Sequence, residues 1–160
     1  MSKNILPKTS FPKRYEIKLD VDLENFSYIG NQTVEMEILE NTNSIFLNSL
    51  GIKISHASLI DKNDEEINLS VEYFEDSERI SLSSKNEILK GNYKLCLEFK
   101  SEITNDLKGF YRSKFLNKDD EEKWIATTQF EPTAARNAFP CWDEPEYKAV
   151  FSITIIADKK

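Results

Sequence analysis

Residues 128–145, TQFEPTAARNAFPCWDEP, stand between two strand-like segments near the end of a chain of 160 residues. They combine acidic residues and one arginine with three aromatic residues and three prolines. This composition is too polar for a plain core segment and too rich in aromatic residues and proline for an ordinary solvated linker. Loops of this kind commonly carry binding groups on a rigid scaffold. We therefore expect residues 128–145, the motif loop, to be ordered and functional.

Outward from the motif loop, apolar and polar residues alternate with a period of two, which indicates β-strands. The predicted strands include residues 15–21, 34–38, 45–47, 52–56, 67–73, 80–82, 93–99, 124–128 and 150–155. Turn-forming residues separate most of them. This pattern predicts a mainly β fold, an antiparallel sandwich or curved sheet, in a single domain over residues 1–160.

Two segments indicate helical turns instead. Thr133 is placed to cap a turn over residues 134–138, which Pro140 would end. A second single turn is predicted at residues 84–89. The last strand ends at Ile156, and a strand this apolar leaves an exposed sheet edge unless something pairs with it. We therefore expect this domain to be incomplete.

Composition excludes several classes of function. Acidic residues outnumber basic ones 28 to 21, giving a net charge of −7, which disfavours nucleic acid and anionic membranes as partners. No apolar run is long enough to cross a bilayer, and the first residues show no signal-peptide core. Cys96 and Cys141 lie far apart in sequence and do not form a disulfide framework, so we predict a cytoplasmic protein.

The sequence predicts no metal or nucleophile site in this chain. His56 is the single histidine, and catalytic zinc normally takes three protein ligands. A strand histidine is more often a packed or surface residue than a ligand. Nothing in the spacing brings His56 and Cys141 together as a nucleophilic pair, and the four glycines are isolated rather than grouped into a phosphate-binding loop.

Carboxylates offer two interpretations. Glu131, Asp143 and Glu144 could lie close enough for acid–base hydrolysis, which needs two carboxyl groups with separated pKa values. The alternative is that Asp143 pairs with Arg136 and holds the loop together, because arginine makes well-oriented contacts with carboxylates. We favour the structural role for this pair.

Gln129 and Glu131 suggest binding. They are two positions apart at a strand end, so their side chains share a face while Phe130 points to the other. A partly desolvated carboxylate beside an amide can receive an ammonium group through a charge-assisted hydrogen bond. Most exposed glutamates are merely solvated, however, and spacing alone favours that simpler interpretation.

The motif loop, continuing into Lys148-Ala149-Val150-Phe151, resembles the hallmark segment of the aminopeptidase N / puromycin-sensitive aminopeptidase family of zinc peptidases. Residues 109–113, GFYRS, resemble the segment that precedes the hallmark in that family, and residues 6–19 resemble its opening strand. The resemblance covers essentially the whole chain. It implies the family's N-terminal domain, a saddle-shaped, largely antiparallel β structure.

The resemblance also implies roles for individual residues. Gln129 would shape the pocket for the first side chain of a peptide, and Glu131, as a buried carboxylate, would bind the free N-terminal amine. Six further residues match the hallmark and would hold the loop against a neighbouring catalytic domain: Arg136, Phe139, Pro140, Trp142, Asp143 and Pro145.

The departures from the family pattern are equally specific. The chain lacks the G-x-M-E-N segment and the H-E-x-x-H motif that would supply a second amine-binding glutamate, zinc ligands and the general base. We expect zinc in a complete family enzyme and neither zinc nor hydrolysis in this chain. Its expected partners are a peptide N-terminus and the catalytic domain.

Two alternatives remain open. One is a free-standing, non-catalytic β domain that binds peptides or a protein through Gln129 and Glu131. The other, weaker, is a carboxylate hydrolase that uses Glu131 and Glu144.

Overall fold

A computed structural model describes residues 5–158. Residues 1–4, on which the expectation about a signal peptide partly rests, and residues 159–160 lie outside that range. Within it the fold is mainly β, as predicted. The strands are β1 (Ser10–Asp22), β2 (Ser27–Ile38), β3 (Thr42–Asn48), β4 (Lys53–Ile60), β5 (Glu66–Asn68), β6 (Ser70–Phe74), β7 (Arg79–Ile88), β8 (Gly91–Glu102), β9 (Gly109–Leu116), β10 (Glu122–Gln129) and β11 (Val150–Ala157). Two 3₁₀ turns occupy Glu75–Ser77 and Ala135–Asn137.

The described strands form three sheets. A six-stranded sheet has the order β11-β1-β2-β8-β4-β5, a three-stranded sheet has the order β3-β7-β6, and β9 and β10 form a hairpin. The pairings are antiparallel except for β11, which lies parallel to β1. The parallel pair is a local departure from the predicted antiparallel arrangement, because a long connection rather than a tight turn leads into β11.

The core lies between the large sheet and the three-stranded sheet. Alternate residues of β1, β2 and β8, including Ile17, Val34 and Leu97, are buried and face one cluster. Ile45 of β3 and Leu82 of β7 belong to the same cluster. Period-two alternation thus produces the inner face of each sheet, as it does in β-sandwiches generally.

Two predicted elements are wrong. The predicted strand 67–73 is divided at Leu69, whose N–H donates to the carbonyl of Ala57 at 2.9 Å, and its two halves join different sheets. The predicted turn at 84–89 lies mostly within β7. There Ile88 pairs with Thr42 and Ser83 pairs with Ser44, so the polar residues between them bulge out of the ladder while Ile88 stays buried.

The strand β9 was not predicted, and its sequence explains the omission. GFYRSKFL mixes aromatic and charged residues without a clear period of two. Tertiary contacts stabilise it instead. The guanidinium of Arg112 lies 4.0 Å from the centroid of Phe26 and 5.4 Å from that of Trp124, which ties the hairpin to the turn between β1 and β2.

A candidate peptide-anchoring loop

The motif loop connects β10 to β11 and contains the predicted helical turn. That turn is a 3₁₀ segment at Ala135–Asn137, within the predicted range. It starts where the N–H of Ala134 donates to the carbonyl of Phe130 at 2.7 Å. Thr133 does not cap it: the cap position is Ala134, and no side chain makes the capping hydrogen bond. The predicted cap is therefore wrong, and the backbone closes the turn by itself.

Backbone carbonyls of the motif loop accept hydrogen bonds from buried side chains of β2. The hydroxyl of Tyr28 donates to the carbonyl of Ala138 at 2.8 Å. The Nε2 of Gln32 donates to the carbonyl of Pro140 at 2.8 Å. Because buried carbonyls need partners, these two side chains fix the path of the loop over the large sheet.

The loop is also joined to the end of β3. Asn48 and Cys141 form an isolated antiparallel bridge, with hydrogen bonds of 2.8 and 3.0 Å in the two directions. The Oδ1 of Asn48 accepts the N–H of Asp143 at 3.1 Å. The segment around Cys141 therefore behaves as a short extra strand beside the three-stranded sheet.

Arg136 and Asp143 pair as predicted, and the pair lies within the protein. Nε of Arg136 donates to Oδ2 of Asp143 at 2.9 Å, and Nη2 donates to the backbone carbonyl of Asp143 at 3.3 Å. Only 11% of the arginine side chain and 13% of the aspartate side chain remain exposed. Nη1 reaches Glu78 at 3.0 Å, a contact that the sequence did not predict.

Aromatic residues of the loop pack into the core. Phe139 and Trp142 are buried, and the ring of Phe139 lies 5.7 Å from that of Phe130 in an edge-on arrangement. The N–H of Trp142 donates to the hydroxyl of Tyr15 at 3.3 Å. Pro140 is buried as well, whereas Pro145 is exposed. A structural role is thus visible in the contacts of Phe139, Pro140 and Trp142.

Gln129 and Glu131 lie on the opposite, solvent side of this anchored segment. Gln129 is the last residue of β10, and both side chains are exposed while Phe130 between them is half-buried. The Oε1 of Gln129 accepts the N–H of Glu131 at 3.1 Å. Within residues 5–158 the carboxylate of Glu131 has no hydrogen-bond or ion-pair partner. The peptide bond between Glu131 and Pro132 is cis.

The exposure of Glu131 differs from the buried carboxylate that the family resemblance implied. The described residues hold the backbone of Glu131 in place, yet they leave its carboxylate in water. Any desolvation of that group must come from another molecule or from polypeptide outside residues 5–158. The backbone of Glu131 is therefore fixed, whereas its carboxylate is exposed and has no partner among residues 5–158.

An apolar groove of about 350 Å³ runs along the other side of the segment. Phe130 and Pro132 line it, and so do Trp142 and Phe151, whereas Glu131 does not. This arrangement agrees with the alternation of side chains about Phe130. Glu131 therefore lies beside a cleft without being part of its wall.

The other titratable residues singled out in the sequence do not assemble into a reactive site. Cys141 is buried, and this burial raises the pKa of its thiol well above the usual range, an effect that Asp143 increases and Arg136 opposes. His56 lies on β4 with its Nε2 3.5 Å from Glu66. In the part of the chain that the structure describes, no group of three or more potential ligands could hold a metal ion.

Glu144 has a structural contact as well. Its Oε1 accepts the N–H of Leu6 at 2.6 Å and so joins the motif loop to the start of the described chain. Asp143 is engaged by Arg136, as above. The carboxylate hydrolase therefore finds no support in these contacts, because two of its three candidate acids stabilise the loop.

The sequence did not reveal which residues receive the motif loop. In the sequence alone, nothing distinguishes Asn48, Tyr28 and Glu78 from other residues of strands and turns. Gly109 is a further case: a Cβ at this position would lie 2.5 Å from the Cβ of Asn137 and 3.2 Å from the carbonyl oxygen of Ala134. A glycine opening a poorly alternating strand was the one signal that could have been noticed.

Comparison with known proteins connects this geometry to a family. Residues 11–160 match the family model described as the Peptidase M1 N-terminal domain. The chain belongs to this family. It is 33% identical over 159 residues to Aminopeptidase 2 of Candida albicans, an alignment that covers 99% of this chain and 17% of that protein.

Other members of the peptidase M1 family agree. Puromycin-sensitive aminopeptidase of Caenorhabditis elegans is 34% identical over 151 residues, and Aminopeptidase M1 of Arabidopsis thaliana is 36% identical over 154 residues. Each alignment covers 94% of this chain but only 16% and 17%, respectively, of the relative. This M1 N-terminal domain thus spans about a sixth of the length of the relatives that it matches.

The predicted family membership is therefore confirmed. Within residues 5–158 the domain has no helix that is long and apolar enough to cross a membrane.

Proposed function

We propose that this chain is the substrate-anchoring part of an aminopeptidase, and that Glu131 binds the free amino terminus of a peptide. The observation that carries the proposal is the unpaired carboxylate of Glu131 on an otherwise heavily anchored loop. The residues on both sides of it are fixed. The ring of Phe130 packs against that of Phe139, and the N–H of Ala134 donates to the carbonyl of Phe130. An acidic group held in place without a partner is well suited to receive a cation.

The chemistry of an amino terminus fits this group. A terminal ammonium carries a positive charge and three donors, whereas an internal peptide nitrogen is neutral and has one. A carboxylate discriminates between them because its hydrogen bond to a charged donor is stronger. Gln129 supports the same surface: its Oε1 already holds the N–H of Glu131, so its amide nitrogen remains for a peptide carbonyl.

In this proposal, another part of the polypeptide carries out hydrolysis. The relatives are named aminopeptidases and are about six times longer than the segment that matches. Zinc is the metal that we propose for the complete enzyme, but the described residues do not fit it, since they contain no adequate group of ligands. The role of this chain would be to hold the peptide in register for chemistry that another part of the polypeptide performs.

We also propose the cytoplasm as its compartment. Cys96 and Cys141 are free thiols, and Cys141 is enclosed by the core. Free cysteines of this kind are usual in a reducing compartment.

Binding can be tested by titrating the isotope-labelled chain with two peptides and recording backbone amide NMR spectra. One peptide has a free amino terminus, and the other is identical but N-acetylated. We expect shifts in residues 128–133 with the free peptide only, because acetylation removes the charge that Glu131 would bind. Equal shifts with both peptides would contradict the proposal.

A matched pair of variants assigns the effect to Glu131. Glu131→Gln keeps the size of the side chain and should abolish the response to the free peptide while leaving thermal stability unchanged, since the carboxylate makes no contact to lose. Glu72→Gln removes another exposed carboxylate, on β6, and should bind like the parent. Retained binding by Glu131→Gln would remove this residue from the site.

Catalysis is tested separately. The purified chain is mixed with zinc and an aminoacyl chromogenic substrate, and we expect no steady turnover. Turnover that a chelator abolishes would show that the chain hydrolyses peptides by itself and would overturn the assignment of an anchoring role.

A further inference from the structure

A cleft of about 360 Å³ is lined by the turn that joins β3 to β4, the end of β6 and the start of β7. Ser49, Lys53, Tyr73 and Arg79 belong to its walls, and the motif loop contributes no residue. Each of these four side chains carries a hydrogen-bond donor. The volume is within the range of roughly 300–1,000 Å³ that small-molecule sites occupy, so this concave surface is a candidate binding site.

Arg79, the first residue of β7, has donors without acceptors. Its Nε and Nη2 are buried and have no hydrogen-bond partner within residues 5–158. Leaving a buried donor unpaired is unfavourable, and more so when the group is charged. Nε and Nη2 lie on one side of the guanidinium, at a spacing that matches two oxygens of an oxyanion. Because both nitrogens are closed off from water, binding requires the arginine side chain to turn toward the cleft.

Two hydroxyl groups line the same cleft. Ser49 is only 6% exposed, and its Oγ has no hydrogen-bond partner within the described range. The oxygen of Tyr73 accepts the N–H of Ile54 at 2.8 Å, whereas its own proton reaches no acceptor among residues 5–158. Both hydroxyls can therefore donate to an acceptor that enters the cleft.

The backbone holds Ser49 in position. Its N–H donates to the carbonyl of Glu78 at 3.0 Å, and the N–H of Leu50 donates to the carbonyl of Arg136 at 2.9 Å. The turn between β3 and β4 is thus fixed by two other segments of the chain. Little ordering of this wall is needed when a ligand binds, which favours affinity.

The charge of the cleft selects the ligand. Lys53 and Arg79 contribute two positive charges and Glu75 one negative charge, which gives +1 in a chain whose net charge is −7. Lys53 also lies opposite Lys100 in the ladder between β4 and β8, and neither lysine has an ion-pair partner in the described chain. Like charges in opposite positions are unfavourable without a counter-charge. One carboxylate neutralises the cleft, whereas a phosphate dianion is also repelled by Glu75.

We propose that this cleft binds a carboxylate group. Nε and Nη2 of Arg79 take its two oxygens, the hydroxyls of Ser49 and Tyr73 donate to them, and Lys53 adds positive charge. The same chemistry serves the carboxylate of a small organic acid and that of an acidic side chain on a polypeptide. The site is separate from the one proposed for a peptide amino terminus, and it binds the opposite charge.

The first experiment titrates the isotope-labelled full chain with isovalerate and, separately, with isovaleramide at equal ionic strength. Their short aliphatic body suits Leu50 and Ile52, which also line the cleft, and the amide has nearly the same shape without the charge. We expect the acid alone to shift the backbone amide signals of residues 49–53 and the side-chain Nε–H signal of Arg79. Equal responses to the acid and the amide would overturn the proposal.

Two further titrations separate the sources of the carboxylate. A short peptide that is blocked at both ends and has one glutamate is compared with the same peptide carrying glutamine instead. Shifts of the same signals with the glutamate peptide but not with isovalerate would assign the cleft to an acidic side chain, and the reverse would assign it to a small acid. No response to either, or tighter binding of inorganic phosphate than of both, would overturn the assignment to a carboxylate.

Arg79→Lys tests the two-nitrogen contact. Lysine keeps the positive charge but cannot offer two parallel N–H donors. We expect the carboxylate that binds the parent to bind this variant at least about tenfold more weakly, which corresponds to 1.4 kcal/mol. Unchanged affinity would show that general positive charge attracts the ligand and would overturn the proposed role of Arg79.

A matched pair of serine variants tests the buried hydroxyl. Ser58 on β4 is 1% exposed, its Oγ also has no hydrogen-bond partner in the described chain, and it does not line the cleft. Neither Ser49→Ala nor Ser58→Ala should lower the thermal stability, because no hydrogen bond is lost. Only Ser49→Ala should weaken binding of the carboxylate. Equal weakening in both variants, or equal affinities of the parent, Ser49→Ala and Arg79→Lys, would overturn the proposal.

Discussion

Arg136 uses its whole guanidinium group to hold the motif loop closed. It bonds both the side chain and the backbone carbonyl of Asp143, and it reaches Glu78 on the turn after β6. Its own carbonyl accepts the N–H of Leu50 at 2.9 Å. One residue thereby connects two ends of the loop with two other segments of the chain, and only 11% of its side chain is exposed.

We predict that Arg136→Ala lowers the free energy of unfolding by roughly 3–5 kcal/mol, because it leaves the mostly buried carboxylate of Asp143 without its counter-charge. Urea denaturation with a spectroscopic probe measures this. Glu78→Gln is the control: its carboxylate is 43% exposed, so its loss should cost only about 0–1 kcal/mol. If both variants lose the same free energy of unfolding, the carboxylate of Asp143 does not need the charge of Arg136.

At the scale of residues, the sequence allowed part of this site to be predicted. The pairing of Arg136 with Asp143 follows from complementary charges on one short loop. The contact with Glu78 does not, since it joins positions that only the tertiary fold brings together. The exposure of Glu131 agrees with the interpretation that its spacing alone favoured and not with the buried carboxylate that the family resemblance implied, because desolvation depends on what covers a group rather than on its neighbours in sequence.

At the scale of elements, β9 and the 3₁₀ turn of the motif loop fit against each other through a glycine. Gly109 has a φ of 65° and lies so close to Asn137 and Ala134 that no side chain fits without displacement. Residues 109–113 and the motif loop, which resemble the family as two separate segments, are therefore in direct contact.

We predict that Gly109→Ala is more destabilising than Gly51→Ala. Both glycines have positive φ values, 65° and 71°, so alanine is strained by about 1–2 kcal/mol at each. A Cβ at Gly51 meets nothing within 4 Å, whereas at Gly109 it collides with the loop. Overpacking should add about 1–3 kcal/mol at Gly109 alone.

Chemical denaturation of the two variants gives the difference directly. Equal free energies of unfolding would show that the loop moves aside without cost. In that case the spectrum of residues 128–138 should change in Gly109→Ala even though the stability does not.

Elements with clear alternation, such as β1 and β8, were predicted well from sequence, because one of their faces is buried. Prediction from the sequence failed at Leu69, where the alternation continues although the chain passes from one sheet to another. It also failed before Ile88, where a polar segment bulges out of the ladder. It also failed for β9, whose stability comes from Arg112 packed on aromatic rings. These three cases depend on partners that are distant in sequence.

At the scale of the whole molecule, two tyrosine hydroxyls enclosed by the core join the sheet to the motif loop. The Tyr28 hydroxyl donates to Ala138, and the Tyr15 hydroxyl accepts the N–H of Trp142. Burial raises the pKa of Tyr28 from 10.0 to about 12, and it raises that of Tyr15 as well. Both phenols are therefore held neutral in the folded state.

We predict that the free energy of unfolding declines as the pH rises from 10 to about 12. The folded chain binds the phenolic protons more tightly than the unfolded chain, so this stability is fully present below pH 10 and is lost above it. Denaturation at a series of pH values measures the slope. Tyr28→Phe should flatten it, since this variant has one phenol fewer to titrate.

The same variant should be less stable near neutral pH by about 1–3 kcal/mol, because the carbonyl of Ala138 loses its donor. An unchanged alkaline slope in Tyr28→Phe would show that Tyr28 does not contribute to it.

The parallel pairing of β1 with β11 has a consequence for how the chain reaches its native state. Strand β1 lies near the start of the chain, but its second neighbour begins only at Val150, and the bonds from Tyr28, Gln32 and Tyr15 to the motif loop span 108 to 127 positions. Contacts of such separation slow folding, because a long loop must close before they form. During synthesis β1 can therefore pair with β2 but lacks its second neighbour until residues 150–157 have left the ribosome.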